Sequence, residues 1–573
     1  MKLLKIALIT GINFFISTAS AQLFKHDELL GRVTDKEISV QFEITDTIQA
    51  RIAYGTVANS FTNYTNWTTI YPGQPEILAV SNLAPNSQYF YRLEYQQTLG
   101  NIQNRPAHTF HTQRAPGASF VFTIQADPHL DEQSDTAVYN RCLKNQLEDN
   151  PDFMIDLGDI LMSDKLRLPN KSIPRDTVTY RSHLMRRFYE TIGHSVPIYI
   201  AIGNHEGESG WNLNGTANNV AVWGTVDRKK YFMNPSSNAF YSGDTSHYPF
   251  VGTRESYFSW TWGDALFIVL DPYWNTKVKP DSLNGWRWTL GSAQYNWLKQ
   301  TLESSNAKFK FVFCHHLIGG DKDGRGGVEF ADKYEWGGDN LDGSYGFTNN
   351  RPGWYKPIKE LFKEHQVSIF FHGHDHFFGK QEKECLVYQE VPQPSHPNFS
   401  SVTYAEGYGY HEGVILPNSG HLRVTVSPIE TKVEYVRVYL PKNETPNRKN
   451  KDVSAIYFVK NGGCYDTLNA SSPILWNESE SNNLVYPNPA KSFVDFKLKI
   501  NQPALYNVEI LNINGEVVKQ LFHNQSLNPG EFIIHWDRKS DKQLICSQGT
   551  YTYRVTSNKG YIQSGILILT PIN

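Results

Sequence analysis

The chain has 573 residues, a formal net charge of −3 at pH 7 and 19% charged residues. A chain of this length can form three or four domains with a large hydrophobic core. Because the sequence has no polybasic region, nucleic acid is not an evident partner. The five cysteines are few and odd in number for an exported protein, and their pairing cannot be deduced from the sequence.

The first residues have the pattern of an export signal. Lys2 and Lys5 precede a largely apolar stretch over residues 6–16, and residues 19–21 (Ala-Ser-Ala) form a small-residue cleavage site. This pattern predicts a signal peptide over residues 1–21, with an N-terminal membrane anchor as the alternative. The apolar stretch is too short to span a bilayer and no other run is long enough, so no transmembrane segment is expected after signal cleavage.

Residues 32–114 alternate between apolar and polar side chains in several runs. A period of two is typical of half-buried antiparallel strands, and several such runs in succession predict a β-sandwich. The apolar positions are Ile38, Val40, Phe42 and Ile44, then Ala50, Ile52 and Tyr54, then Tyr89, Tyr91, Leu93 and Tyr95.

Five strand-like runs in the central region each end at a polar motif. The runs cover residues 120–124, 153–157, 197–202, 309–313 and 367–371, and they are rich in β-branched and aromatic residues, as buried strands are. Helical patterns over residues 135–150 and 354–365 alternate with them, which predicts a layered α/β domain. The motifs are Asp127-Pro128-His129, Gly158-Asp159, Gly203-Asn204-His205-Glu206, Cys314-His315-His316 and Gly373-His374-Asp375-His376.

The side chains of these motifs fit a pair of hydrolytic metal ions. In a layered α/β domain, ligands gather beyond the carboxyl ends of the strands, so the five motifs are expected to converge. They supply carboxylate, imidazole and amide oxygen ligands, which favours two divalent or trivalent ions such as Fe, Zn or Mn over an iron–sulfur or structural zinc site. Each motif alone also fits a turn, a loop or a helix cap, whereas all five in series predict a metal centre.

The series of motifs resembles the calcineurin-like metallophosphoesterase superfamily, over about residues 119–440. The resemblance implies two sets of ligands and a carboxylate, Asp159, that bridges the two ions. One ion would be held by Asp127, His129 and His376, and the other by Asn204, His315 and His374.

The resemblance also implies roles for residues beside the ligands. His205 would be a catalytic residue, a histidine that binds no metal and faces the leaving group. His316 follows a ligand and is a candidate substrate contact or a structural residue. Glu206 and His372 are expected to support the ligands from behind, and Asp156 is expected to be structural.

A second resemblance concerns the order of the domains. Residues 83–91 resemble the turn-and-tyrosine signature of fibronectin type III modules. Such a module, here over residues 22–115, ahead of a metallophosphoesterase domain, here over residues 116–460, is the layout of purple acid phosphatases. In those enzymes a tyrosine three residues after the Asp of the Gly-Asp motif binds ferric iron. This chain has Met162 at that position, so purple ferric chemistry is not expected.

Two long connections flank the metal motifs, over residues 207–244 and 317–353. Loops of this length are usually lids or binding loops. Ten of the 13 tryptophans lie between Trp211 and Trp354, and their rings either line a substrate cleft or pack the loops onto the core. Lys322 and Arg325 are the nearest candidate cations for a phosphomonoester dianion.

The C-terminal region begins after a polar stretch over residues 461–483, which predicts a linker. Alternating runs beyond it predict a small β domain, with Asn514-Gly515 as a hairpin signal. Residues 484–573 resemble the C-terminal sorting domain of the bacterial type IX secretion system, with a generic β-sandwich binding module as the alternative. A signal peptide and a sorting domain together imply the type IX secretion machinery as a partner and a secreted or cell-surface location.

Three functions are compatible with the sequence. The favoured one is a secreted phosphomonoesterase, similar to acid phosphatases, which hydrolyses phosphate esters by attack of a metal-bound hydroxide. A phosphodiesterase is the alternative, favoured by the missing tyrosine and by the adjacent His315 and His316. The third is a surface binding module with a vestigial metal site. The alcohol part of the substrate and the oligomeric state cannot be deduced.

Overall fold

The computed structural model describes residues 23–97, 100–281, 284–446, 448–460, 474–475, 484–487, 490–500, 503–512, 517–558 and 562–571. The expected signal peptide, the Asn514-Gly515 turn and all of the expected linker except residues 474–475 lie outside these described residues. Among the described residues, no helix combines the length and hydrophobicity needed to cross a bilayer.

The N-terminal region folds into two antiparallel β-sheets. One has the strand order β1-β2-β6; the other has the order β4-β3-β7-β8, with β5 paired to β3 and β9 to β7. The alternating side chains predicted to face inward, such as Val40, Ile52 and Tyr91, are fully buried between the sheets. The strands are β1 (Phe24–Gly31), β2 (Ile38–Ile44), β3 (Ile48–Gly55), β4 (Asn63–Tyr64), β5 (Thr68–Ile70), β6 (Glu76–Val80), β7 (Gln88–Gln96), β8 (Gln103–Asn104) and β9 (His108–His111).

The central region contains two larger mixed sheets. Their strand orders are β12-β11-β10-β21-β22-β23-β24 and β13-β14-β15-β16-β17-β19-β18-β20. The strands are β10 (Phe120–Gln125), β11 (Phe153–Asp156), β12 (Ile198–Ile200), β13 (Ser242–Gly243), β14 (Phe258–Trp262), β15 (Ala265–Val269), β16 (Phe309–Phe313), β17 (Ile369–His372), β18 (Phe378–Lys383), β19 (Leu386–Glu390), β20 (Val414–Leu416), β21 (Gly420–Val426), β22 (Glu430–Arg437), β23 (Val453–Lys460) and β24 (Ile474–Leu475).

These two sheets pack face to face through aromatic side chains. Phe122 of β10 meets Phe267 of β15 at 5.1 Å between ring centroids and Phe311 of β16 at 5.8 Å. Helices cover the outer faces, which gives the layered α/β arrangement that the alternation of strands and helices predicts. The α-helices are α1 (Thr136–Glu148), α2 (Arg175–Gly193), α3 (Val220–Tyr231), α4 (Ser292–Glu303), α5 (Tyr334–Gly337), α6 (Phe347–Asn350) and α7 (Ile358–Glu364).

The two predicted helices are present with different bounds. The first, α1, begins after Asp135, whose carboxylate accepts hydrogen bonds from the backbone N–H groups of Ala137 and Val138. The second, α7, begins at Ile358 rather than near residue 354, because Pro357 precedes it in an extended conformation and disfavours helix in the residue before it.

Helix α2 packs against the N-terminal sheets as well as the central one. His26 of β1 is hydrogen-bonded through Nδ1 to Glu190 at 2.6 Å and through Nε2 to Nδ1 of His183 at 2.7 Å. The guanidinium of Arg186, which is fully buried, donates to the carbonyl groups of Asp27 at 2.7 Å and Gln41 at 3.2 Å. The sheet β1-β2-β6 is therefore joined to this helix by hydrogen bonds of defined geometry.

The C-terminal region forms two further sheets, ordered β25-β26-β29 and β28-β27-β30-β31. Their buried residues, from Ala490 to Leu569, form a hydrophobic cluster separate from those of the other regions. Cys142, Cys314 and Cys546 are free and buried, and Cys385 is disulfide-bonded. The strands are β25 (Leu484–Tyr486), β26 (Val494–Ile500), β27 (Ala504–Leu511), β28 (Val517–Leu527), β29 (Gly530–Trp536), β30 (Gly549–Ser557) and β31 (Ile562–Leu569).

Candidate metal centre

The polar motifs converge because the strands that carry them are parallel. Strands β10, β11 and β12 are adjacent and parallel, so the motifs that follow them leave the same edge of one sheet. Strands β16 and β17 are adjacent and parallel in the facing sheet, and they deliver the other two motifs. Since the two sheets pack face to face, both edges meet at one place, as expected for ligands beyond the carboxyl ends of strands.

The first group of ligand atoms comes from Asp127, His129 and His376. Oδ1 of Asp127 lies 3.7 Å from Nε2 of His129 and 3.6 Å from Nε2 of His376. These distances are too long for hydrogen bonds, and both Oδ1 of Asp127 and Nε2 of His129 are buried without a hydrogen-bond partner among the described residues. Buried polar atoms are rarely left unpaired, and a metal ion between these atoms would satisfy them.

The second group comes from Asn204, His315 and His374. Nε2 of His315 lies 3.0 Å from Oδ1 of Asn204 and 3.1 Å from Nδ1 of His374. The other ring nitrogen of His315 contacts the carbonyl oxygen of Leu157 at 2.8 Å, and that of His374 contacts the carbonyl oxygen of Asp323 at 3.0 Å. Such carbonyl contacts fix the ring orientation of metal-binding histidines and direct the opposite nitrogen toward the ion.

Asp159 lies between the two groups. Its Oδ2 atom is 3.5 Å from Nε2 of His129 and 3.3 Å from Nε2 of His315. Its Oδ1 atom accepts a hydrogen bond of 2.7 Å from the backbone N–H of His205. Asp159 could therefore serve as a ligand in either group or in both.

The electrostatics of the cluster favour positive charge. Burial alone would raise the pKa of Asp127, but the charge of His315 and contacts with other histidines hold it well below its ordinary value. Burial alone would lower the pKa of His315, but the carboxylates of Asp159 and Asp127 raise it to about 9. The donor set therefore attracts a cation, and its carboxylate, imidazole and amide atoms suit Fe, Zn or Mn.

Many of the ligand residues adopt unusual backbone conformations. The φ angles are 57° for Asp127, 51° for His129, 60° for Asp159, 79° for His374 and 65° for His376. Residues other than glycine rarely occupy this left-handed region, and such strain concentrates at functional sites. The concentration of strained residues at these strand ends is consistent with a functional site.

Glu206 supports the loop that carries Asp159. Its buried carboxylate accepts hydrogen bonds from the backbone N–H groups of Asp159 at 3.0 Å and Ile160 at 2.6 Å, and from those of Leu161 and Gly203. The role expected for Glu206 from the sequence, behind the ligands rather than among them, agrees with this placement.

Arg181 of helix α2 is a residue that the sequence analysis missed. Its buried guanidinium donates to the carbonyl groups of His129, Leu130 and Leu161, which belong to two different ligand-bearing loops. No short motif identifies such a residue, because its partners are backbone atoms that lie 20 to 52 positions away.

A cleft of about 530 Å³ opens above the cluster. His129, Asp159, Asn204, His205, His374 and His376 line its base, and His205 retains 21% of its side-chain exposure. The walls carry four cations, three tryptophans and a few apolar side chains. The cations are Arg167, Lys171, Lys279 and Arg325, and the tryptophans are Trp211, Trp223 and Trp288.

Other predicted residues lie outside the cleft. His316 is fully buried, its ring packs against Trp288 at 4.3 Å and Tyr273 at 5.2 Å, and it does not line the cleft. Asp156 accepts hydrogen bonds from Gln125, the Gly158 backbone and Tyr189, in keeping with a structural role.

Two further residues bear on the expectation that no tyrosine binds ferric iron. Met162 is fully buried in the loop after β11. The hydroxyl of Tyr199 lies 2.8 Å from that of Tyr241, and its ring stacks on Trp260 in the core. Neither residue supplies a phenolate to the cluster.

Two regions of the chain match known protein families. Residues 120–378 match the family described as calcineurin-like phosphoesterase, and residues 484–569 match the secretion system C-terminal sorting domain. A curated relative, "Probable inactive purple acid phosphatase 1" of Arabidopsis thaliana, is 22% identical over 342 residues, which cover 56% of this chain and 45% of that protein. The chain thus spans less than half the length of this relative.

Two solved structures align with most of this chain, and the first is similar in fold. The structure of PhoD has 14% sequence identity and a TM-score of 0.55, over 79% of this chain and 94% of that one. Purple acid phosphatase PPD1 from yellow lupin seeds has 15% identity and a TM-score of 0.48, over 72% of each chain. The family matches therefore assign a calcineurin-like phosphoesterase domain to residues 120–378 and a type IX C-terminal sorting domain to residues 484–569, and the sorting domain indicates a secreted or cell-surface protein.

Proposed function

We propose that the protein is a secreted, dinuclear-metal phosphomonoesterase. The observation that carries this proposal is the convergence of seven candidate ligands, with Asp159 between two groups, at the base of a cleft lined by cations. Two bound ions would supply Lewis acidity, which activates water and neutralises charge on the phosphoryl oxygens.

Two residues that line the cleft could contribute to hydrolysis without binding metal. His205 faces the cleft at its base, where its imidazole can protonate the leaving oxygen, a contribution typically worth about 10²–10⁴-fold in rate. Arg325 lines the cleft beside His374, and its Nη1 atom donates to the His374 carbonyl at 2.9 Å and to Asp375 at 2.8 Å. These bonds hold the guanidinium in place, where it can orient the oxygens of a phosphomonoester dianion.

The two alternatives have less support. The phosphodiesterase hypothesis rested on the missing tyrosine and on the adjacent His315 and His316. Met162 at the tyrosine position still supports it, whereas the burial of His316 away from the cleft weakens the second argument. The hypothesis of a vestigial metal site receives some weight from the word "inactive" in the name of the Arabidopsis relative. Against it, the side chains that the family resemblance implies as ligands lie close together.

A panel of matched esters tests the proposal. Phenyl phosphate and methyl phenyl phosphate release the same phenol, so their kcat/KM values compare a monoester with a diester at a constant leaving group. We expect the metal-loaded protein to favour the monoester at least tenfold. A preference for the diester would select the phosphodiesterase, and metal binding without hydrolysis of either ester would select the binding module.

A further inference from the structure

We propose that the rim of the cleft contains an anion subsite, formed by Arg167, Lys171 and Lys279, for a second anionic group on the alcohol part of the substrate. This inference rests on the proposed function and names the substrate class of the same site. The class is a phosphomonoester of a ring-containing alcohol that also carries a phosphate or carboxylate group.

The three cations reach the cleft from two separate segments. Arg167 and Lys171 belong to the connection between β11 and α2, and Lys279 belongs to the connection between β15 and α4. Nη1 of Arg167 contacts the backbone carbonyl of Lys171 at 3.4 Å, which keeps the two cations of the first segment together. Cations therefore line the cleft from both of these connections.

The two lysines have no carboxylate partner in the part of the chain that the structure describes, since no ion pair within 4.0 Å involves either Nζ atom. Lysines elsewhere on the surface commonly form such pairs, for example Lys299 with Glu303 at 2.5 Å and Lys451 with Glu148 at 2.9 Å. The only carboxylates that line the described cleft are Asp159, a candidate metal ligand, and Asp323. Lysines without a carboxylate partner, in a concave site, focus the electrostatic field and attract an anionic ligand.

The volume and the apolar walls of the cleft indicate which chemical group of the substrate connects its two anionic groups. A cleft of about 530 Å³ is within the range of sites that hold whole organic ligands, roughly 300–1,000 Å³, and exceeds the needs of a phosphate group alone. Trp211, Trp223 and Val220 line it together with Ile173 and Pro280. Planar and apolar walls of this kind suit a ring that carries the ester at one end and the second anion at the other.

Matched aryl phosphates test the subsite. 4-Carboxyphenyl phosphate and 4-carbamoylphenyl phosphate differ by one charge at nearly constant shape, and 4-phosphonophenyl phosphate separates a phosphate-type anion from a carboxylate. We expect the wild-type protein to favour the two anionic esters in kcat/KM. Lys171→Glu and Lys279→Glu should each reduce that preference about fivefold to tenfold, as for reversal of a solvent-exposed charge.

A matched control and a binding measurement make the outcome decisive. Lys144 is exposed on α1 and does not line the cleft, so Lys144→Glu should leave the preference unchanged. The non-hydrolysable 4-carboxyphenylphosphonate and 4-carbamoylphenylphosphonate, titrated by calorimetry into the metal-loaded protein, report the subsite even if no ester is hydrolysed. A charge preference in binding without hydrolysis would overturn the proposed function and keep the subsite. Equal losses for charged and neutral compounds, or an equal effect of Lys144→Glu, would overturn the subsite.

Discussion

Nε2 of His315 lies 3.1 Å from Nδ1 of His374, and the opposite nitrogen of each ring contacts a backbone carbonyl. The two facing nitrogens, together with Oδ1 of Asn204, would supply three ligands to one ion. The nearby carboxylates of Asp127 and Asp159 make this position favourable for a positive charge. A metal ion is therefore expected to stabilise the fold as well as to support hydrolysis.

We predict that removing the metals with a chelator lowers the melting temperature and abolishes hydrolysis, and that adding metal back restores both. A ligand that binds only the native state stabilises it by about 2.7 kcal/mol at a hundredfold excess over its Kd. Calorimetry and elemental analysis, which should find two ions per chain, provide the measurement. An unchanged melting temperature after complete metal removal would contradict the interpretation of the cluster.

Substitutions at Asp159 and at His205 should have different effects on metal content and activity. Asp159→Ala is predicted to lose metal and activity, because Oδ2 of Asp159 lies within 3.5 Å of a histidine nitrogen in each group. His205→Ala is predicted to keep both metals and to slow turnover by about 10²–10⁴-fold. Its defect should shrink for esters with good leaving groups, which need little protonation. A uniform defect across leaving groups, or loss of metal from the His205 variant, would argue against an acid role.

Glu206→Gln should destabilise the site although it changes only one group. One carboxylate oxygen accepts from Ile160 and Leu161 and the other from Asp159 and Gly203. A carboxamide would direct its N–H₂ group toward two of these donors, at a cost of about 2–4 kcal/mol for the unpaired buried groups. Denaturant unfolding of metal-loaded protein measures the loss. Glu148→Gln, at a glutamate that is 62% exposed, is the control and should change stability by less than about 0.5 kcal/mol.

The sequence predicted the strands and the cluster better than it predicted the surroundings of the cluster. Short runs that end in ligand-type residues mark strand ends, and five in series left little ambiguity. Helix α2 was missed because Arg181, Ser182 and Arg186 are buried on it and interrupt the apolar periodicity that identifies a helix. The cations of the cleft were also missed apart from Arg325, because their position depends on how distant loops fold together.

The burial of His183 beside Lys25 predicts a pH dependence of stability. Burial and the charge of Lys25 lower the pKa of His183 to about 4, whereas an unfolded histidine titrates near 6.5. Between these values the unfolded chain binds more protons, so stability should fall as pH decreases from about 6.5 to about 4. His183→Gln should flatten the slope of unfolding free energy against pH in that window. It should not abolish the slope, because burial and His194 also lower the pKa of His108 to about 4.

The C-terminal region should be separable from the enzyme. Removal of residues 484–573 is predicted to leave a folded and active protein that its host no longer exports across the outer membrane. The buried residues of this region form their own cluster, and all candidate ligands precede Phe377. Activity of the purified truncated protein and its location after expression in the host give the measurement. Insolubility or loss of metal would show that the tail supports the catalytic domain, and unchanged export would refute the sorting role.

Because of the contacts of helix α2, we expect the N-terminal and C-terminal β-rich regions to differ in how easily evolution can exchange them. Arg181 binds the ligand loops from this helix, while His183, Arg186 and Glu190 of the same helix bind or contact strands β1 and β2. A foreign N-terminal module without these acceptors would leave Arg186 buried and unsatisfied. Domain shuffling is therefore expected to replace the tail more easily than the N-terminal region, which contacts α2 and, through it, the ligand loops.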